Sequence, residues 1–162
     1  MRTRREPVRA LDKLDYKILR CLQEDGRIAM KDLAEKVGLT VTPCIERVKR
    51  MERDGVITGY YARLNPAVLG AGLLVFVEIT LANKSGSIFE QFRREVLKIP
   101  EVLECHLVSG EFDYLIKARI GEMTDYRKLL GNILLQLPAT VQSKSYVVME
   151  EIKETLNIAI AE

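Results

Sequence analysis

The spacing of apolar residues changes once along this chain, and the change divides it. Leu11, Leu14, Ile18, Leu19 and Leu22 return every three or four residues, on one face of a helix running from Asp12-Lys13 to Asp25-Gly26. Met30, Leu33, Ala34 and Val37 mark a short second helix that ends at Gly38. After the turn "GLT", the set Cys44, Ile45, Val48 and Met51 predicts a third helix from Thr42 to Asp54, with Pro43 tolerated in its first turn and Gly55 as its stop. Three helices with a short glycine-bearing turn between the last two form a helix-turn-helix pattern. The β-rich pieces around Gly59 in "VITGYYARLN" predict a small hairpin wing beside it.

Proline at position 66 biases Asn65 to an extended conformation and marks the boundary. Beyond it the period becomes two: Leu73, Val75, Val77, Ile79 and Leu81 share one face of a strand. "SIFEQFRREVLKI" returns to helical spacing through Ile88, Phe89, Phe92 and Val96. "VLECHLVSG" and "FDYLIKARI" read as strands joined by a tight Gly110-Glu111 turn, "MTDYRKLLGNILLQL" as a helix and "TVQSKSYVVMEEI" as a closing strand. Residues 73 to 109 and 112 to 150 are thus two successive strand-helix-strand units. They predict an α+β chain whose second part is a ferredoxin-like βαββαβ sandwich, with both helices on one face of an antiparallel sheet. Leu74 and Phe76 put apolar side chains on the opposite face of the first strand, so that face is expected to pack against a second copy in a homodimer. The expected organisation is a basic arm over 1–10, a winged helix-turn-helix over 11–64, a hinge over 65–72 and the ferredoxin-like domain over 73–162.

Charge sharpens this division. The net charge of +2 hides 15 Lys and Arg against 10 Asp and Glu in residues 1–65, and 10 against 13 in the rest, so only the first half is suited to a polyanion such as double-stranded DNA. In the third helix the apolar stripe leaves Thr42, Pro43, Glu46, Lys49, Arg50 and Arg53 facing away, with Arg47 at the shoulder. In a helix-turn-helix this is the recognition helix, whose first residues lie over base edges while neighbouring cations and hydroxyls hold phosphates. Thr40, Thr42, Pro43, Arg47 and Arg50 are the expected contact surface, with Glu46, Lys49 and Arg53 beside them. Cys44 lies on the apolar stripe and belongs to the core.

Other chemistry finds little support. Cys21, Cys44 and Cys105 are widely spaced, there is no C-x-x-C pair, and His106 is the one histidine, so neither a disulfide framework nor a zinc site is expected. There is no glycine-rich phosphate loop and no triad, which argues against an enzyme. No apolar run approaches the ~20 residues of a membrane helix, and "MRTRREPVRA" lacks the apolar stretch of a secretory signal, so the expected location is the cytoplasm, on the nucleoid. In "LVSGEFDYL" a glycine turn precedes Asp113, flanked by Phe112 and Tyr114. A carboxylate held near apolar surface can pair with the ammonium group of a small amino acid.

The order of "LDKLDYKILRCLQEDGRI", "DLAEKVGLTVTPCIERVKRMERDGVITGY", the proline hinge, "LLVFVEITL", "ECHLVSGEFDYL", "YRKLL" and "SYVVMEE" resembles the leucine-responsive regulatory protein / asparagine-regulator family of bacterial transcription factors, from about Leu11 to Glu154. The resemblance implies that the second domain binds an effector and mediates oligomerisation, with dimers assembled into octamers or larger rings. It further implies an amino-acid effector, expected to be leucine or alanine, and no other cofactor. Carried over residue by residue, the effector site would comprise Leu107, Gly110, Asp113, Met123, Tyr146, Val147 and Val148. The expected function is a sequence-specific DNA-binding transcriptional regulator whose DNA affinity or assembly state responds to that amino acid. The alternative is an architectural DNA-binding protein with little ligand dependence.

Overall fold

The computed structural model describes residues 10–136 and 140–160; most of the expected basic arm lies outside the described residues. The chain forms two compact units, one of residues 1–63 with 154–162, the other of residues 64–153.

In the first unit, α1 (Lys13–Glu24), α2 (Met30–Val37) and α3 (Val41–Arg53) follow the predicted helices closely. The start of α1 is fixed by a capping box: Asp12 Oδ1 accepts the Leu14 and Asp15 N–H groups, and Asp15 Oδ2 accepts the Asp12 N–H. Gly38, at φ 75°, ends α2 in the left-handed conformation that admits glycine most readily. Ile18, Leu22, Leu33, Ala34, Val37, Cys44, Val48 and Met51 close one core, the one the periodicity outlined. The wing segment takes a different form from the expected hairpin: residues 56–64 carry no β-ladder. Val56 and Ile57 both donate to Met51 O and pack against the helical core, and Tyr60 donates to Glu52, so the segment is tied back to α3 rather than to itself.

Residues 154–160, expected with the ferredoxin-like domain, pack with this unit. The Gln23 amide donates to Ile158 O (3.0 Å) and accepts the Ile158 N–H (2.7 Å), and Arg63 lies 3.6 Å from Glu154.

The second unit holds β1 (Leu73–Leu81), α4 (Gly86–Val96), β2 (Val102–Leu107), β3 (Tyr114–Ile120), α5 (Met123–Gln136) and β4 (Thr140–Val147). The sheet order is β2-β3-β1-β4, every pair antiparallel, which is the predicted ferredoxin-like arrangement. Val75, Val77, Ile79 and Leu81 of β1 join Ile116, Ala118 and Ile120 of β3, Phe92 and Val96 of α4 and Leu129 of α5 in one core, with Phe92 stacked 3.9 Å from Tyr114. The segment expected as a hinge closes on itself: Asn65 Oδ1 accepts the Ala67 N–H, and the Ala71 N–H donates to Pro66 O.

Two further expectations change. The β2–β3 connection is not a two-residue turn; it spans Val108 to Asp113, closed by Val108 N–H to Asp113 O (2.9 Å), because Asp113 is drawn inward to β1. The open sheet face is less apolar than Leu74 and Phe76 suggested. Leu74 is only 6% exposed within the subunit, and its neighbours along that face include Glu78, Lys117, Arg119 and Lys144. Any partner on this face must therefore meet charge as well as apolar surface.

Candidate recognition helix and effector cleft

Thr40 at the end of the α2–α3 turn and Thr42, Pro43, Glu46, Lys49 and Arg53 of α3 are exposed to solvent, as the periodicity predicted for the helix. Arg47 and Arg50 are placed otherwise. Their side chains are 24% and 19% exposed, and both turn back to α1: Arg47 Nη1 lies 2.6 Å from Asp12 Oδ2 and 2.8 Å from Asp15 Oδ1, and Arg50 Nη2 lies 2.5 Å from Asp15 Oδ2. Asp15 is 1% exposed, and a carboxylate so buried is tolerated only when paired and hydrogen-bonded. Hydrogen bonds to Asp12 and then Asp15 raise the Arg47 pKa, while Arg47 and the Asp15 N–H hold the Asp12 carboxyl below its ordinary value. The readable signal was the pair of spacings "DKLD" and "RVKR", which puts two carboxylates at the head of α1 and two guanidinium groups one turn apart on α3.

The seven expected effector residues fall at two ends of the sheet. Leu107, Gly110 and Asp113 lie at the end where Asp113 N–H bonds Ile79 O. Val148 N–H bonds Leu74 O at the other end, where Val147 pairs with Val75 and Met123 begins α5 just after Ile120, the partner of Leu73. Tyr146, opposite Phe76, stands between them. Leu74 and Ile79 of β1 are five residue steps apart, which sets the two ends about 17 Å apart at strand rise. One subunit therefore does not gather all seven around a single small molecule.

Asp113 is itself engaged. Its Oδ2 accepts the Leu81 N–H (2.9 Å), and Oδ1 lies 2.8 Å from Lys84 Nζ. Burial alone would raise its pKa, but these two partners hold it below the ordinary carboxylate value. Beside its loop, on the open sheet face, is a cleft of about 150 Å³ that the sequence reading missed, lined by Glu78, Thr80, Glu111, Phe112, Gln142 and Lys144. Cross-strand register creates it, setting Glu78 opposite Lys144 and Thr80 opposite Gln142. The Tyr146 hydroxyl donates to Glu78, which raises the tyrosine pKa. A larger cleft near Met123, about 460 Å³, is lined in part by Asp125, Lys128 and Arg119. There Lys128 pairs with Asp125, and Arg119 with Glu151.

Two family models match this chain: winged helix-turn-helix DNA-binding over residues 11–58, and Lrp/AsnC ligand binding domain over residues 74–158. The leucine-responsive regulatory protein of Salmonella typhimurium is 52% identical over 98% of this chain and 96% of that protein. The chain belongs to the Lrp/AsnC family. Among solved structures, an AsnC family transcriptional regulator from Agrobacterium tumefaciens superposes on this Lrp/AsnC chain with a TM-score of 0.88 at 38% identity, covering 92% of this chain and 97% of its own. A transcriptional regulator from Neisseria meningitidis, solved as its L-Met complex, does so at 0.87 with 36% identity, covering 93% and 97%. This Lrp/AsnC chain is accordingly a DNA-binding transcription regulator with a ligand-binding domain, not an enzyme. Among the described residues no group of His, Cys, Asp and Glu is arranged to hold a metal, and no helix is long and apolar enough to cross a membrane.

Proposed function

We propose that this protein reads specific DNA sequences through α3 and that a small apolar amino acid, leucine or alanine, sets its DNA affinity or its assembly state. The observation that carries the reading is the cleft beside the Gly110–Asp113 loop. It offers carboxylates in Glu78 and Glu111, a cation in Lys144, neutral hydrogen-bonding groups in Thr80 and Gln142, and an apolar ring in Phe112. A zwitterion with an apolar side chain needs those three kinds of group, and a volume well below the ~300 Å³ of drug-sized pockets suits a small one. Leucine is preferred because of the 52% identity to a leucine-responsive regulatory protein; the L-Met complex of the Neisseria regulator supports an amino-acid ligand in general.

In this reading Leu107, Gly110 and Asp113 of one subunit meet Met123, Tyr146, Val147 and Val148 of another, so the site is completed by a homodimer or by dimers assembled into an octamer or larger ring. The domain that supplies it runs from Leu73, with Asn65 to Gly72 as the joint to the DNA-reading unit. On the DNA side Thr40, Thr42, Pro43, Glu46, Lys49 and Arg53 form the contact surface, and Arg47 and Arg50 set its position. An effector that binds one assembly geometry better shifts that population, and DNA affinity follows by linkage. The protein works in the cytoplasm, on the nucleoid.

The test is the electrophoretic mobility of its own upstream promoter fragment, titrated with the protein while amino acids are added one at a time. Leucine or alanine is expected to change the affinity or the size of the complex. Salt-sensitive binding that ignores every amino acid would replace this reading with an architectural role.

A further inference from the structure

Asp15 lies in α1, away from the exposed face of α3, yet it uses both carboxylate oxygens on the arginines of that helix. Oδ1 takes Arg47, and Oδ2 takes Arg50 together with the Asp12 N–H (3.1 Å). With Asp12 also on Arg47, the four side chains form a cluster of zero net charge, with Asp15 enclosed, both arginines partly buried and Asp12 at the exposed rim. Two of the four cations of α3 are thereby withdrawn from its outer face. What remains outside is Lys49 and Arg53 against Glu46 and Glu52, a nearly balanced surface with Thr42 and Pro43 at its head. Such a face has little general attraction for phosphate, and the non-specific part of DNA binding is mostly counterion release at phosphates.

We infer that Asp15 is a positioning and specificity-determining residue for DNA recognition: it locks Arg47 and Arg50 against α1, which fixes the pose of α3 and keeps two guanidinium groups from making sequence-blind phosphate contacts. This rests on the proposal that α3 reads DNA. A neutral side chain at position 15 removes the counter-charge while the arginines stay ionised. Arg47 keeps Asp12 at 2.6 Å, but Arg50 loses its carboxylate, and its flexible stem carries it to the nearest anion, which in a complex is a phosphate. Non-specific affinity rises, and the pose that separates right from wrong sequence loosens.

The experiment compares wild type with Asp15→Asn, measuring affinity for the promoter fragment and for a scrambled fragment over a salt series. Circular dichroism melting first establishes that the variant is folded. The expected result is tighter binding to scrambled DNA, a slope of log affinity against log salt steeper by about 1 for each DNA-binding unit, and a specific-to-scrambled ratio reduced about tenfold. Equal weakening on both fragments, with an unchanged or shallower salt slope, overturns the inference. Arg50→Gln, measured in parallel, carries the test if Asp15→Asn fails to fold. A guanidinium held by Asp15 contributes nothing to the salt slope, so the slope stays as in wild type while the ratio falls; a slope reduced by about 1 would make Arg50 a phosphate contact and sink the assignment. Thr42→Ala and Lys49→Ala separate this from failure of the underlying reading. If neither changes the ratio, α3 does not read sequence; if they do and Asp15→Asn does not, only the role of Asp15 falls.

Discussion

Among the described residues each unit buries one carboxylate, and the two are held very differently. Asp15 is enclosed by two arginines and a helix N-terminus, partners that themselves are mostly buried. Asp113 is held by one backbone N–H and by Lys84, whose side chain is 62% exposed. The first is a joint between helices; the second ends a loop through a partner that water competes for. A DNA-reading unit needs its helix fixed before contact, whereas a sensing loop works only if something else can take the place of its holding contacts. The difference in enclosure is the one that the proposed division of tasks requires.

Substitutions sharpen the contrast when ranked against an ordinary core position. Phe92→Ala, which removes the largest fully buried side chain of the second unit, is expected to cost about 4 kcal/mol in urea unfolding. Asp15→Ala leaves the mostly buried Arg50 without its carboxylate and Arg47 with Asp12 alone, and about 3 kcal/mol is expected from the same measurement. Asp113→Ala should cost about 2 kcal/mol, mostly from the Leu81 N–H left without its acceptor. It should blunt the amino-acid response while promoter binding persists. If Asp113→Ala proves as damaging as Asp15→Ala, the distinction between joint and loop disappears.

Acid offers a smaller effect. Asp12 and Asp113 both have folded-state pKa values below the ordinary carboxylate value of 3.8. Each therefore contributes stability that is present above about pH 4 and lost as pH falls through the depressed folded value. Melting temperature should hold from pH 7 to about 5 and then decline towards pH 3; a midpoint that climbs on acidification contradicts the assignment of both ion pairs. The smallest effect concerns thiols. Burial pushes the Cys105 pKa up to about 11 and raises that of Cys44, so neither forms much thiolate near neutrality. Iodoacetamide at pH 7.5 should label both slowly until urea unfolds the chain, and rapid labelling of Cys44 in the folded protein would reveal opening of the helical core.

The helices and the strand order were legible because one apolar stripe per element suffices to define them. Leu33, Ala34 and Val37 or Val75, Val77 and Ile79 announce their own faces. What the pattern missed were polar residues whose partners lie far along the chain. Arg47 and Arg50 look like surface cations until Asp15, more than thirty positions earlier, is folded beside them. The loop from Val108 to Asp113 reads as a tight turn until the Leu81 N–H at the end of β1 and Lys84 just beyond it draw Asp113 in. The cleft of Glu78, Thr80, Gln142 and Lys144 exists only in the β1–β4 register, which no local spacing encodes. Periodicity separates inside from outside well where the inside is apolar, and poorly where the inside is a charge with a distant counter-charge.

The grip of Gln23 on Ile158 changes how the chain is threaded as well as where its end lies. The second unit, residues 64–153, becomes an insertion between two pieces of the first, a ninety-residue excursion that leaves and returns. Closing such a loop depends only weakly on its length, each doubling adding about 0.6 kcal/mol, so the size of the inserted unit scarcely hinders the return. A pull on the C-terminus reaches α1 at Gln23 before it reaches β4, and mechanically the tail is a tether on the DNA-reading unit.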